Sequence, residues 1–175
     1  MKRLSLLFST LLFAVVANAQ LIITDEPSAT ALVQKLVGDG VTISNVSFTG
    51  NSLMAGKFKN LGGLTNINLD SGIVITNGRA KTTTLDQFGV DGNGIDLAED
   101  VTASNLWNLP GDAQLANEIG ADVSDLNDAC VLEFDFIPSG DTIKFRYVFS
   151  SEEYYPGYVC TYNDAFGFFL VIILR

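Results

Sequence analysis

Twenty aspartates and glutamates face ten lysines and arginines in this chain, and no histidine accompanies them. Any chemistry it does must therefore be carboxylate, hydroxyl, amide or thiol chemistry. The missing imidazole removes the commonest general base, the commonest metal ligand and every Ser-His or Cys-His nucleophile pair. Glu133 and Asp135 lie two apart in the alternating stretch Val131 to Ile137, so a strand there puts both carboxylates on one face. Some sandwich-fold glycosidases place a nucleophile and a helper in this way, but they need a third carboxylate as acid. Two beyond Asp135 stands Ile137, followed by Pro138. A solvent-facing pair of acids opposite Lys144 and Arg146 accounts for the same residues without catalysis, and is the better reading.

Two further clusters carry chemistry. Asp86, Asp91, Asn93, Asp96, Glu99 and Asp100 crowd oxygen donors into one stretch, which is what a hard cation such as calcium takes. Asp91-Gly92-Asn93-Gly94-Ile95-Asp96 imitates the opening of a calcium loop, yet the third ligand position is Ile95 and the twelfth is Thr102, so it is not an EF-hand. A solvated acidic loop is the plainer alternative, with Asp86, Asp91, Asn93 and Asp96 as the candidate metal ligands. From Ser150 to Asp164, Glu152, Glu153, Tyr154, Tyr155, Tyr158, Tyr162, Asn163 and Asp164 stand between two apolar runs. Aromatic area beside amides and carboxylates suits recognition of a sugar or a protein. The alternative is that the tyrosines cover one end of the core. Glu152, Glu153, Tyr154, Tyr158, Tyr162, Asn163 and Asp164 are the candidate ligand-binding residues.

These residues must be positioned by strands. Val131 to Ile137 and Thr142 to Phe149, joined by Pro138-Ser139-Gly140-Asp141, have the pattern of a hairpin. With Ile137 opposite Thr142, the side chains of Leu132, Phe134, Phe136, Ile143, Phe145 and Tyr147 share one face. Glu133 then meets Arg146 and Asp135 meets Lys144 on the other, pairs worth a few tenths to about 1 kcal/mol each. Val41 and Ile43, then Val46 and Phe48, are spaced two apart as strand residues are, and Gly62 to Thr76 carries another such stretch, ending in Gly72 to Thr76. A helix is expected over Pro27 to Gly40, capped by Thr24 or Asp25, stopped at Gly38 and packed on a sheet edge. Arg79 to Asp128 is polar and rich in loop residues, with a helical turn around Ala113 to Ile119. Ala165 to Leu174 is almost continuously apolar and reads as a core strand, being too short to cross about 30 Å of hydrocarbon as a helix.

At the other end, Lys2 and Arg3, the apolar run Leu4 to Val16 and the small-residue site Ala17-Asn18-Ala19 form a secretory signal peptide. Cleavage leaves one domain's worth of chain and takes the net charge from −10 to −12, since Lys2 and Arg3 leave with the leader. Such a charge repels phosphate backbones and anionic lipid, which disfavours nucleic acid and membrane and favours cations or basic partners. After export Cys130 and Cys160 meet a non-reducing environment, where a disulfide between them is available but not required.

Four blocks in order carry a resemblance: Leu109-Pro110-Gly111-Asp112-Ala113; Asp128-Ala129-Cys130 through Ile137-Pro138; Phe145-Arg146-Tyr147-Val148-Phe149-Ser150-Ser151-Glu152-Glu153-Tyr154; and Asn163-Asp164-Ala165-Phe166-Gly167-Phe168-Phe169-Leu170. Together they resemble the choice-of-anchor L domain of exported surface proteins in Bacteroidetes-like bacteria, over about Val41 to Leu170. The resemblance implies a secreted or cell-surface β-rich module, often part of a longer adhesin-like protein, with no catalytic residues to carry over. It also implies a turn and further strands after Leu170, so the chain reads as truncated or frame-shifted after Arg175. The position of Cys130 resembles one usually held by a small residue other than cysteine, which would leave the partner of Cys160 in a missing part.

The expectation is thus an all-β protein, a β-sandwich of jelly-roll-like form with one short N-terminal helix and long polar loops. Residues 1–19 are the signal peptide, 20–40 the helix and its lead-in, and 41–175 the sandwich, incomplete at its C-terminal end. The function expected is extracellular or cell-surface recognition of a glycan or a surface protein without catalysis, with calcium as a candidate cofactor. The alternatives are a carboxylate-based glycoside hydrolase and a structural spacer.

Overall fold

The computed structural model describes residues 20–61, 67–80, 107–151 and 163–172. Two antiparallel sheets and two short helices are built from them. Strand β1 (Gln20–Asp25) leads into helix α1 (Ala29–Val37), followed by β2 (Thr42–Thr49), β3 (Ala55–Leu61), β4 (Ser71–Ile75), helix α2 (Ala113–Ile119) and β5 (Val131–Ile137). The first sheet has the order β1-β3-β4, and β2 pairs with β5 in the second.

Helix α1 starts where a side chain can satisfy its orphan amides. Ser28 caps it, its hydroxyl accepting from the Ala31 amide at 3.2 Å, and Gly38 ends it at φ 75°. The cap is Ser28 rather than Thr24 or Asp25, because both of those residues belong to β1. Glu26 joins the entry of α1 to the sheet: it accepts from the Ser28 amide at 3.1 Å and from Lys57 Nζ at 2.7 Å. The helix buries Leu32 and Val33, exposed by 2% and 0%, and touches β2, β3, β4 and β5. It therefore lies between the two sheets and not on an edge of one.

In the first sheet β3 is central, and a glycine on β3 and another on β4 allow close approach. A side chain at Gly56 would meet the Thr24 carbonyl oxygen at 2.8 Å, and one at Gly72 would meet the Phe58 ring at 2.7 Å. Phe58 sits opposite both Ile23 and Gly72, and covers the glycine. Between β2 and β3, Gly50 adopts φ 130°, a conformation closed to ordinary side chains, and the 3-10 turn Ser52–Met54 follows. Met54 is fully buried, its sulfur accepting from the Asn51 amide at 3.0 Å.

The second sheet departs from expectation. Strand β5 forms over Val131–Ile137 as read, but its partner is β2, with Ile43 opposite Phe136 and Phe48 opposite Leu132. A bulge between Ser44 and Ser47 puts Asn45 at φ 51°, from where its amide donates to Asp135 at 2.6 Å, while the Ser47 hydroxyl donates to Glu133 at 3.4 Å. These neutral donors take the place expected for Lys144 and Arg146. Thr142 to Phe149 carries no strand ladder, and Arg146 donates instead to the Asn68 carbonyl at 2.6 Å.

Phe166 to Ile172 is likewise not a core strand. Phe166, Phe168 and Val171 are 47%, 53% and 76% exposed. With no strand ladder beside them, these residues find rings instead: Phe145 lies 4.0 Å from Phe168 and Tyr147 lies 5.6 Å from Phe166, centroid to centroid. Residues 1–19 with the signal peptide, and the stretch 81–106 with Asp86, Asp91, Asn93 and Asp96, lie outside the described residues. Among those described, no helix is long and apolar enough to cross a membrane.

Because Leu32 sits where both sheets converge, Leu32→Ala is expected to destabilise the chain by about 2–5 kcal/mol, read as a lower denaturant midpoint. Ile137→Ala, at a 66% exposed position, is expected to leave the midpoint nearly unchanged. The Lys57 ammonium and the Ser28 amide hold the Glu26 carboxyl below its usual value of 4.5. A lowered carboxyl contributes stability above its unfolded pKa and loses it as pH falls through the folded one. The gap in melting temperature between wild type and Glu26→Gln is accordingly expected to close on acidification below about 4.5, as a pH series of thermal melts will report.

Candidate binding site

Three loop segments meet beyond the end of β4, and one aspartate fixes two of them. Asp128 is fully buried. Its carboxylate accepts from the Leu109 amide at 2.8 Å and the Trp107 amide at 3.3 Å. The strands of this knot are completed by backbone bonds: the Asp128 amide donates to the Leu109 carbonyl at 3.0 Å and the Ala129 amide to the Pro110 carbonyl at 3.2 Å. Asp128 also adopts φ 52°, a left-handed conformation that aspartate tolerates better than most residues. Next to it Gly111 lies against Leu126 with no room for a side chain between them. Asp112 then caps α2, accepting from the Leu115 amide at 2.7 Å. The first two motif blocks thus clasp each other directly.

Trp107 carries the connection to β4, its indole N–H donating to the Gly78 carbonyl at 3.2 Å. One residue before Gly78, the Asn77 amide donates to Asp164 Oδ1 at 3.1 Å, and the Ser151 hydroxyl donates to Asp164 Oδ2 at 2.8 Å. Both oxygens of Asp164 are engaged, and they tie the residue where the tyrosine-rich stretch departs to the residue where it has returned. Ser151 and Asp164 are half-buried and Asn163 is exposed. Glu152, Glu153, Tyr154, Tyr158 and Tyr162 lie outside the described residues. Of the proposed binding residues, the structure describes Asn163 and Asp164 and adds Asn77, Ser151 and Trp107 as their supports. Asn77-Gly78 after an apolar strand is a turn signal, but nothing local marks it as the partner of a residue 87 positions on.

Cys130, one residue before β5, is a free thiol in this structure, 3.9 Å from the Met54 carbonyl. Burial pushes it up to about 12, so it stays protonated and unreactive at neutral pH. Cys160 lies outside the described residues. Among those described, no group of acids or thiols is arranged to hold a metal ion. An open groove of about 520 Å³ lies at the opposite end of β4, lined by Lys35, Phe58, Lys59, Asn60, Asp70 and Ser71, with Lys35 donating to the Ser71 hydroxyl at 2.8 Å.

The match to known sequences is decided over almost the whole length: the family model of the choice-of-anchor L domain aligns with residues 21–172. The chain belongs to the choice-of-anchor L family. The match takes in β1 and α1 as well as the blocks from Val41 onward, in keeping with β1 being hydrogen-bonded into the first sheet. The domain marks a surface-associated module. No curated protein and no solved structure matches the chain.

The clasp predicts an asymmetry between two substitutions. Asp128→Ala strands two half-buried amides and places alanine at a positive φ, an expected loss of about 2–4 kcal/mol. Asp128→Asn keeps an acceptor and tolerates that φ, and is expected to cost less than half as much. Urea melts of the two variants measure the difference.

Proposed function

We propose that this choice-of-anchor L domain is an extracellular or cell-surface recognition module of sandwich, jelly-roll-like architecture. It binds a glycan or a surface protein through the stretch from Ser151 to Asp164 and catalyses no reaction of its own. The observation that carries this reading is the pair of hydrogen bonds that Asp164 accepts from Ser151 and Asn77. A tyrosine-rich stretch whose two ends are pinned to each other and to the end of a sheet strand has already lost part of the entropy that binding would otherwise cost. Four tyrosines, two glutamates and an asparagine between those ends offer stacking area and orienting polar groups. Glu133 and Asp135, the pair best spaced for catalysis, are hydrogen-bonded to Ser47 and Asn45 on β2, which accounts for them as ladder residues.

A panel of immobilised polysaccharides and bacterial surface proteins tests the reading. Binding is expected to fall about ten-fold or more in Tyr158→Ala, to fall also in Asp164→Ala through loss of the pinned base, and to be unchanged in Glu133→Gln. Hydrolysis of a polysaccharide by the wild type that vanishes in Glu133→Gln would replace the binding reading with the glycosidase one.

A further inference from the structure

Strand β5 is paired on one side only: β2 occupies one edge, and among the described residues no strand occupies the other. An open edge selects its partner by what its side chains will accept. Along β5, Leu132, Phe134 and Phe136 alternate with Glu133 and Asp135. A second β5 laid antiparallel about Phe134 would set Glu133 against Asp135, like charges directly opposite, so self-pairing of this edge is disfavoured. The edge calls instead for a strand that alternates large apolar residues with cations.

One described segment has that pattern. Thr142 to Phe149 places Ile143, Phe145 and Tyr147 on one face and Lys144 and Arg146 on the other. Those two residues are among only ten cations in the chain. In its own molecule the segment forms no ladder with β5, and Arg146 is held by the Asn68 carbonyl. No backbone hydrogen bond closes a turn between Ile137 and Thr142 among the described residues. Its apolar side chains are only partly covered: Phe145 and Tyr147 touch the rings of Phe168 and Phe166, yet Ile143, Phe145 and Tyr147 stay 50%, 46% and 62% exposed.

We propose that two copies of this chain associate by exchanging this segment, the Thr142–Phe149 stretch of each adding antiparallel to the free edge of β5 in the other. The register puts Phe134 against Phe145, Glu133 against Arg146 and Asp135 against Lys144. Pro138 to Asp141 is the hinge, and the exchange gives each β5 a second ladder partner that it lacks among the described residues. The inference rests on β5 and its charge pattern and is independent of the site at Asp164.

Charge reversal tests it. The purified wild-type chain is expected to show a concentration-dependent dimer by light scattering. A variant carrying Glu133→Lys with Asp135→Lys, and another carrying Lys144→Glu with Arg146→Glu, each face like charges in their own dimers and are expected to dimerise about ten-fold or more weakly. Mixed one to one, they restore both sets of pairs, and native mass spectrometry is expected to find the mixed dimer. A wild type monomeric at its highest soluble concentration, or a mixture without mixed dimer, overturns the proposal. Should either variant fail to fold, a chain with Cys130→Ser and Cys160→Ser that carries Glu133→Cys and Arg146→Cys decides the matter. A disulfide-linked dimer on mild oxidation supports exchange, whereas a disulfide within the monomer, or none, overturns it.

Discussion

A carboxylate shut away from water must be met by donors, and at Asp128 the donors are backbone amides from a segment about twenty residues earlier in the chain. That requirement organises much of the molecule. To reach Asp128 the Trp107 to Leu109 segment must run beside Asn127 to Ala129. In that place Trp107 meets Gly78 at the end of β4, Gly111 presses on Leu126, and Asp112 is left in position to start α2. Buried ionised groups survive only when hydrogen-bonded in this way. A single side chain thereby connects the lead into β5 with the turn after β4, and through Asn77 with the base of the tyrosine-rich stretch.

Helix α1 plays the complementary part on the apolar side. Its nine residues bury two, Leu32 and Val33, but these lie where both sheets converge, so a short helix serves as common core for four strands. The polar clasp and the apolar helix divide the labour: the helix provides the driving force, which is non-directional, and the clasp fixes which loops stand together, which the hydrophobic effect alone does not specify.

This division explains what could be read from the sequence. Helix α1, the turn of α2 and the strands β2, β4 and β5 are announced by local pattern and alternation, and they stand where those signals put them to within a few residues, although α1 takes its cap from Ser28 and not from Thr24 or Asp25. Strand β3 was hidden because Gly56, Lys57 and Lys59 interrupt its apolar alternation, and β1 because a short apolar stretch before a helix has no period of its own. The partner of β5 was misread for a different reason. Glu133 and Asp135 accept equally well from cations or from Ser47 and Asn45, and a choice between partners about ten and about ninety residues away is made by the packing of β2 under α1, not by the acids. At the binding site, the tyrosines and Asp164 were legible as residue types suited to recognition. The pinning of Asp164 by Asn77 was not, because a hydrogen bond across 87 positions leaves no periodic trace.

The sulfur of Met54 lends this arrangement a built-in record of its own opening. Apart from the initiator, Met54 is the chain's methionine, fully buried, with its thioether already accepting from the Asn51 amide and pressed close to Gly50. An oxidant cannot reach it while the turn Ser52–Met54 is closed, and a sulfoxide would place a polar oxygen in this buried position. Damage at this one atom would thus accumulate only in molecules that have opened and would hinder their closing again, so that under any given exposure to oxidant the fraction oxidised becomes a tally of past excursions from the folded state.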